Sequence, residues 1–74
     1  MAVVIKMGYQ PVESGGFRGC VEWKVDDLPE TVKVSDKVYS TEQEALAQAE
    51  YFGRLLTRIA EAAGYGDIHD VTTS

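Results

Sequence analysis

The amino-acid sequence predicts an α+β domain in which a three-stranded antiparallel sheet is covered on one face by a single long helix. The first half of the chain alternates apolar and polar residues with the period of β-strands. Residues 41–64 instead carry apolar residues at the three- and four-residue spacings of an amphipathic helix. Strands followed by one helix are typical of a two-layer sandwich. The domain is predicted to span residues 1–64, with residues 65–74 as a flexible tail.

The strands are predicted from β-branched and aromatic residues separated by turn-forming segments. Ala2–Met7 forms the first strand, and a loop containing Pro11 and two adjacent glycines connects it to Phe17–Val25. The Asp-Asp-Leu-Pro-Glu segment at 26–30 forms a turn before a third strand at Thr31–Tyr39. The apolar row of this third strand stays in phase only if the strand is bulged or interrupted near Asp36.

Alternation along the strands and the helical period together predict the core. The strand residues expected to face the helix are Val3, Ile5, Phe17, Val21, Trp23, Val25, Val32 and Val34. The helix residues expected to cover them are Ala45, Ala49, Phe52, Leu56, Ile59 and Ala63. Thr41 is the predicted N-cap, with Glu44 completing a capping box, and Gly64 is the predicted stop. Tyr51 and Leu55 lie beside this apolar stripe, where exposure would indicate a partner or a dimer mate.

The size and the net charge of the chain limit the functions that it can have. A chain of 74 residues has a small core, and its single cysteine cannot form an intramolecular disulfide. Additional stability is therefore expected to come from a homodimer or from a bound partner. The formal charge of −5 disfavours generic binding to nucleic-acid backbone or anionic membranes and favours a partner with a basic surface. The lone cysteine and the lack of a signal-peptide pattern predict a cytoplasmic protein.

No residue pattern predicts an enzyme, a metal site or a cofactor. Cys20 has no histidine near it in sequence to act as a base, and a small residue filling a strand position is the simpler interpretation. Asp67, His69 and Asp70 crowd three potential ligands into four residues of the predicted tail, which makes a poor closed metal site. The glycine-rich segment at 14–19 leads into a strand and lacks the lysine of a phosphate-binding loop.

Two surfaces are candidates for binding. The residues predicted to contact a protein partner are Asp26, Asp27, Glu30, Glu50, Tyr51 and Leu55. The alternative is a nucleic-acid-binding sheet face opposite the helix, carrying Lys6, Arg18, Lys24 and Lys33. Lysines on exposed strands also serve simply to discourage edge pairing, and carboxylates on a helix also form an ordinary solvated face.

Four short motifs occur in order along the chain: Val3-Val4-Ile5-Lys6, Gly15-Gly16-Phe17, Asp27-Leu28-Pro29 and the helix start from Ser40 to Ala49. Together they resemble the HicB-type antitoxin domain. The resemblance covers roughly residues 3–50 and departs at Glu30 and Thr31, where that family usually has Gly and Cys. It implies a β-β-β-α partial RNase-H-like fold and a dimeric, non-catalytic protein that neutralises a basic partner.

Two further likenesses concern overall layout. The predicted arrangement is similar to the arm-binding domains of phage integrases, which lay a three-stranded sheet in the DNA major groove; the basic sheet face agrees with this and the acidic total charge does not. In size and composition the chain also resembles small acidic phage-encoded inhibitors, including anti-CRISPR proteins. The first hypothesis is therefore a non-enzymatic module that binds and inhibits or regulates a protein partner, and the second is a nucleic-acid-binding sheet.

Overall fold

A computed structural model describes residues 2–72, which form a mixed sheet packed against one helix. The elements are β1 (Ala2–Pro11), β2 (Phe17–Val25), β3 (Thr31–Val34), α1 (Glu42–Ala62) and β4 (Asp67–Thr72). The four strands lie in the order β3-β2-β1-β4, in which β2 is antiparallel to both β1 and β3, and β4 is parallel to β1. The predicted α+β class is confirmed, but the sheet has four strands and is mixed, where the sequence predicted three antiparallel strands.

β4 is the strand that the sequence analysis assigned to a tail. It pairs with β1 from Ala2↔Asp67 to Met7↔Thr72, and Ile68 packs against the core. α1 makes this possible, because it carries the chain back to the end of the sheet where β1 begins. Residues 73 and 74, the end of the predicted tail, lie outside the described residues.

The helix begins and ends where the sequence predicts. Thr41 is the N-cap, and its Oγ1 accepts the backbone N–H of Glu44 at 3.2 Å. Hydrogen bonds from the hydroxyls of Ser40 and Thr41 to the Glu44 carboxylate lower the pKa of Glu44. Gly64 has φ +92° just after the helix, a conformation that glycine adopts without strain. Among the described residues, no helix is both long enough and apolar enough to cross a membrane.

Small residues form the helix surface that contacts the sheet. The buried residues of α1 are Ala45, Ala49, Gly53 and Ala60. The predicted stripe is therefore only partly correct, because Phe52 and Leu56 are half-buried at its flank and Ile59 is 65% exposed. The physical reason is close approach, since a Cβ atom added at Gly19 of β2 would lie only 2.6 Å from the Ala45 carbonyl oxygen.

The register of β3 is shifted by one residue from the predicted one. Lys33 pairs with Val21 and Thr31 with Trp23, so both side chains lie on the helix side of the sheet. Val32 and Val34 consequently lie on the open face, and their predicted places in the core are wrong: Val32 is 52% exposed. The turn before β3 sets this register, because a one-residue change in a turn moves every following side chain to the opposite face.

Candidate protein-binding groove

An apolar groove runs between α1 and the β2–β3 side of the sheet. Its wider end, which we call the groove foot, encloses a cavity of about 120 Å³ beside the C-terminal half of the helix. The residues lining the groove foot are Val3, Ile5, Trp23, Val25, Leu56, Ile59, Ala60, Ala63 and Tyr65. β3 begins at Thr31, which pairs with Trp23, so among residues 2–72 no strand pairs with Val25 on this side of β2.

The narrower end of the groove lies beside the N-terminal half of the helix. It holds a cavity of about 40 Å³ lined by residues that include Gly19, Gln48 and Phe52. Phe52 lines this end and Trp23 lines the groove foot, and the centroids of their rings lie 6.1 Å apart. The Lys33 ammonium lies 5.7 Å from the Phe52 ring centroid, a cation–π distance, and places a positive charge at this end.

The residues that line the two ends of the groove differ in size. Near its N-terminus the helix contacts the sheet through Ala45 and Ala49 against Gly19, which holds the two layers close together. At the other end the buried Ala60 also contacts the core, and the partly buried side chains of Trp23 and Leu56 line the groove foot.

A row of exposed apolar side chains on the helix meets the groove at Ile59. Tyr51, Leu55 and Ile59 are 54%, 36% and 65% exposed, and their four-residue spacing places them on one side of α1. We call these three residues the helix row. The expected exposure of Tyr51 and Leu55 is confirmed. Ile59 was predicted to face the sheet from the three- and four-residue spacing of the apolar stripe; it is exposed instead, and it connects the helix row to the groove foot.

The acidic turn, Asp26–Glu30, borders the groove foot. It follows directly after Val25, which lines the groove foot, and it leads into Thr31, which pairs with Trp23. Asp27 and Glu30 are exposed, and neither takes part in an ion pair among residues 2–72. Leu28, between them, is 61% exposed. The turn therefore adds carboxylates and one apolar side chain to the rim of the groove.

Asp26 differs from its neighbours because it has a structural role. Its carboxylate accepts the Ala2 backbone N–H at 2.7 Å, and its own backbone N–H donates to the Ala2 carbonyl at 2.9 Å. Its φ of 47° is left-handed, a conformation that aspartate tolerates better than most residues. Asp26 therefore closes the end of β1 against the turn, so a change there perturbs the fold as well as the surface.

Glu50 lies apart from the other predicted partner-binding residues. It is half-buried, and it precedes Thr57 by seven residues, which places both on nearly the same side of the helix. Thr57 faces β4, where its hydroxyl contacts the Asp70 carboxylate at 3.1 Å. The structure thus brings Tyr51 and Leu55 together with Ile59 in one exposed row, and it places Glu50 on the β4 side.

The open sheet face holds three of the four residues of the predicted nucleic-acid surface. Lys6, Arg18 and Lys24 lie there, whereas the β3 register places Lys33 on the helix side. Glu22 sits opposite Lys6. The Arg18 guanidinium donates to the carbonyls of Ser35 and Asp36 at 2.8 and 2.7 Å. The face is therefore a mixture of charges.

Cys20 and the acidic and histidine residues of β4 were considered as catalytic or metal-binding groups. Burial, followed by the nearby Glu22 charge, raises the pKa of the Cys20 thiol, which is the reverse of what an activated nucleophile requires. Strand alternation places Asp67 and His69 on one face, 2.8 Å apart, and Asp70 on the other. Within residues 2–72 no three potential metal ligands converge.

Comparisons with protein-family models, curated proteins and solved structures found no match to this chain. The HicB-type and inhibitor-like resemblances therefore stay predictions.

Proposed function

We propose that this chain is a non-enzymatic, cytoplasmic interaction module that binds a protein partner and inhibits or regulates it, as an antitoxin or a phage-encoded inhibitor does. The observation that carries the proposal is the continuity between the helix row and the groove foot. Ile59 is 65% exposed and belongs to both, so the apolar surface of the helix row continues into the apolar cavity of the groove foot. Exposed apolar surface rimmed by charged residues is characteristic of protein-binding sites.

The size and composition of the surface favour a protein over a small molecule. The cavity of about 120 Å³ is well below the roughly 300–1,000 Å³ of typical small-molecule pockets. Trp23 at the groove foot and Tyr51 in the helix row are of the residue types that contribute most to binding energy at protein interfaces. An extended surface with one deep position suits a protein segment.

The alternative is nucleic-acid binding by the open sheet face. Lys6, Arg18 and Lys24 on one face support it. Glu22 within that face and the formal charge of −5 oppose it, since like charge repels the phosphate backbone. Binding of this kind weakens steeply with salt, because each neutralised phosphate releases counterions.

Affinity capture from host lysate, with and without nuclease, tests the proposal. The tagged chain is expected to retain a stoichiometric protein partner that survives nuclease. Ile59→Glu is expected to abolish the capture, and Val71→Glu, which places the same charge on an exposed apolar residue of β4, is expected to preserve it. A signal that disappears with nuclease would favour the open sheet face instead. Equal loss in both variants would remove the helix row from the interface.

A further inference from the structure

We propose that the groove foot receives one large apolar side chain from a basic segment of the partner, whose lysine or arginine residues lie against the acidic turn. This inference rests on the proposed function and specifies the chemistry of the partner. It is carried by three features that meet at one place: the volume of the groove foot, the exposure of Ile59, and the carboxylates of Asp27 and Glu30.

The volume of the groove foot determines what enters it. An apolar cavity of about 150 Å³ is known to hold a benzene ring. The groove foot, at about 120 Å³ and lined by aliphatic and aromatic residues, is of the size for one branched aliphatic or aromatic side chain. Because Ile59 forms one wall and is 65% exposed, an entering side chain also covers apolar surface that water now contacts.

The charge at the rim determines what accompanies that side chain. The turn carries Asp26, Asp27 and Glu30 and no basic residue. Lys24, the nearest lysine in sequence, is on the opposite face of the sheet. Arg58 precedes Ile59 and so lies about 100° further round the helix. Lysine or arginine is therefore the complement at this rim.

The same charges disfavour a second copy of this chain as the occupant. Two copies, each with a formal charge of −5, would bring acidic turns toward acidic groove rims. Antiparallel pairing of two helix rows about Leu55 would also place Arg54 and Arg58 of one copy near those of the other. Lys33, at the narrow end of the groove, further indicates a direction: the basic part of the segment lies at the acidic turn and not beside Phe52.

Trp23 provides a direct readout, because it is the single tryptophan of the chain and lines the groove foot. Three short capped peptides serve as probes: one leucine flanked by lysines, the same peptide with alanine for leucine, and the same peptide with glutamate for lysine. The leucine–lysine probe is expected to shift Trp23 emission to shorter wavelength in a saturable titration. Each of the other two is expected to bind at least about tenfold more weakly, since each lacks one of the two complementary features.

Matched variants locate the binding. Glu30→Lys is expected to weaken the leucine–lysine probe about fivefold at low salt, and the difference should shrink as salt rises. Glu13→Lys makes the same charge change on an exposed residue of the β1–β2 loop, and it is expected to bind like the unmodified chain. Ile59→Ser is expected to remove the emission shift, whereas Val71→Ser, on β4, is expected to keep it.

The outcomes separate this inference from the proposed function. Equal binding of the lysine and glutamate probes, or no saturable binding of the leucine–lysine probe, would overturn the inference even if Ile59→Glu still abolishes capture of a protein from lysate. If sedimentation shows a dimer and Ile59→Ser dissociates that dimer, the groove binds a second copy of the chain. This result would also overturn the inference. If capture is insensitive to Ile59→Glu as well, the proposed function fails with the inference.

Discussion

Gly19→Ala is expected to destabilise the domain because the backbone of the helix lies directly against Gly19 of β2. A Cβ atom at this position would lie 2.6 Å from the Ala45 carbonyl oxygen and 3.3 Å from the Ala49 backbone nitrogen. Ordinary van der Waals contact begins at about 3.4 Å, so the N-terminal half of α1 has to retreat by several tenths of an ångström. No flexible side chain lies there to absorb the added methyl group.

The expected cost is a large part of the total stability. Overpacking of a closely packed core costs about 1–3 kcal/mol, and a contact with helix backbone, as here, belongs in the upper half of that range. The reduced backbone entropy of the unfolded chain returns about 0.5–1 kcal/mol for a glycine-to-alanine change. The net loss is then about 1–2 kcal/mol, in a chain whose core supplies only about 3–5 kcal/mol. With a urea dependence of about 1 kcal/mol/M for a protein of this size, the unfolding midpoint is expected to fall by about 1–2 M.

Urea unfolding followed by Trp23 fluorescence measures this change. Gly66→Ala is the control, because a Cβ atom there meets nothing within 4 Å, and it is expected to leave stability unchanged or raise it slightly. Gly53→Ala is the intermediate case: its Cβ would overlap Met7 Sδ and lie 2.7 Å from Met7 Cγ, but the methionine side chain can move. A midpoint for Gly19→Ala equal to that of Gly66→Ala would refute the close contact between helix and sheet at this position.

Three further changes test individual contacts. Thr41→Ala is expected to lower the free energy of unfolding by about 1 kcal/mol in urea titrations because it removes the N-cap hydrogen bond to the Glu44 N–H, and Thr41→Ser, which keeps the acceptor, should recover most of the loss. Asp26→Ala is expected to lower the free energy of unfolding by about 1–2 kcal/mol in the same assay, because it removes the acceptor for the Ala2 N–H and places alanine at φ 47°. An effect no larger than that of Asp27→Ala would contradict the structural role of Asp26. Cys20 alkylation by iodoacetamide is expected to reach half its maximal rate at a pH above that of an ordinary thiol, because burial raises its pKa and the thiolate is the reacting form; a rate that matches a free thiol at neutral pH would contradict this.

Local signals in the sequence were sufficient for β2, for α1 and for residues 2–7 of β1, which continues to Pro11 through residues that were predicted to form a loop. Each of these elements has a long, regular apolar pattern, and the helix also has a cap at Thr41 and a stop at Gly64, so local preference and tertiary packing agree. The third strand was predicted to be interrupted near Asp36, and β3 indeed ends at Val34, with a single bridge between Phe17 and Tyr39 beyond it.

β4 could not be predicted in the same way, because its stability comes from its position. Only Ile68 and Val71 are apolar in this strand, and Ile68 is the one that packs against the core. The strand exists because α1 returns the chain to the free edge of β1, a long-range pairing that no local pattern encodes. The register of β3 was missed for a related reason, since the conformation of Asp26 and the following turn, rather than alternation within β3, determines which side chains face the helix.

The position of the candidate site depends on side-chain size more than on apolar character. A pattern that counts only apolar residues turns the helix so that Phe52, Leu56 and Ile59 face the sheet. The seam that contacts the sheet keeps the predicted Ala45 and Ala49 and continues through Gly53, because small residues at four-residue spacing permit closer contact between backbones. Turning the helix toward this seam moves Ile59 out to solvent and leaves Leu56 and Trp23 around an opening. The close contact at Gly19 and the groove foot are thus two consequences of one arrangement, so a variant that pushes the helix away from Gly19 is expected to change the groove foot as well.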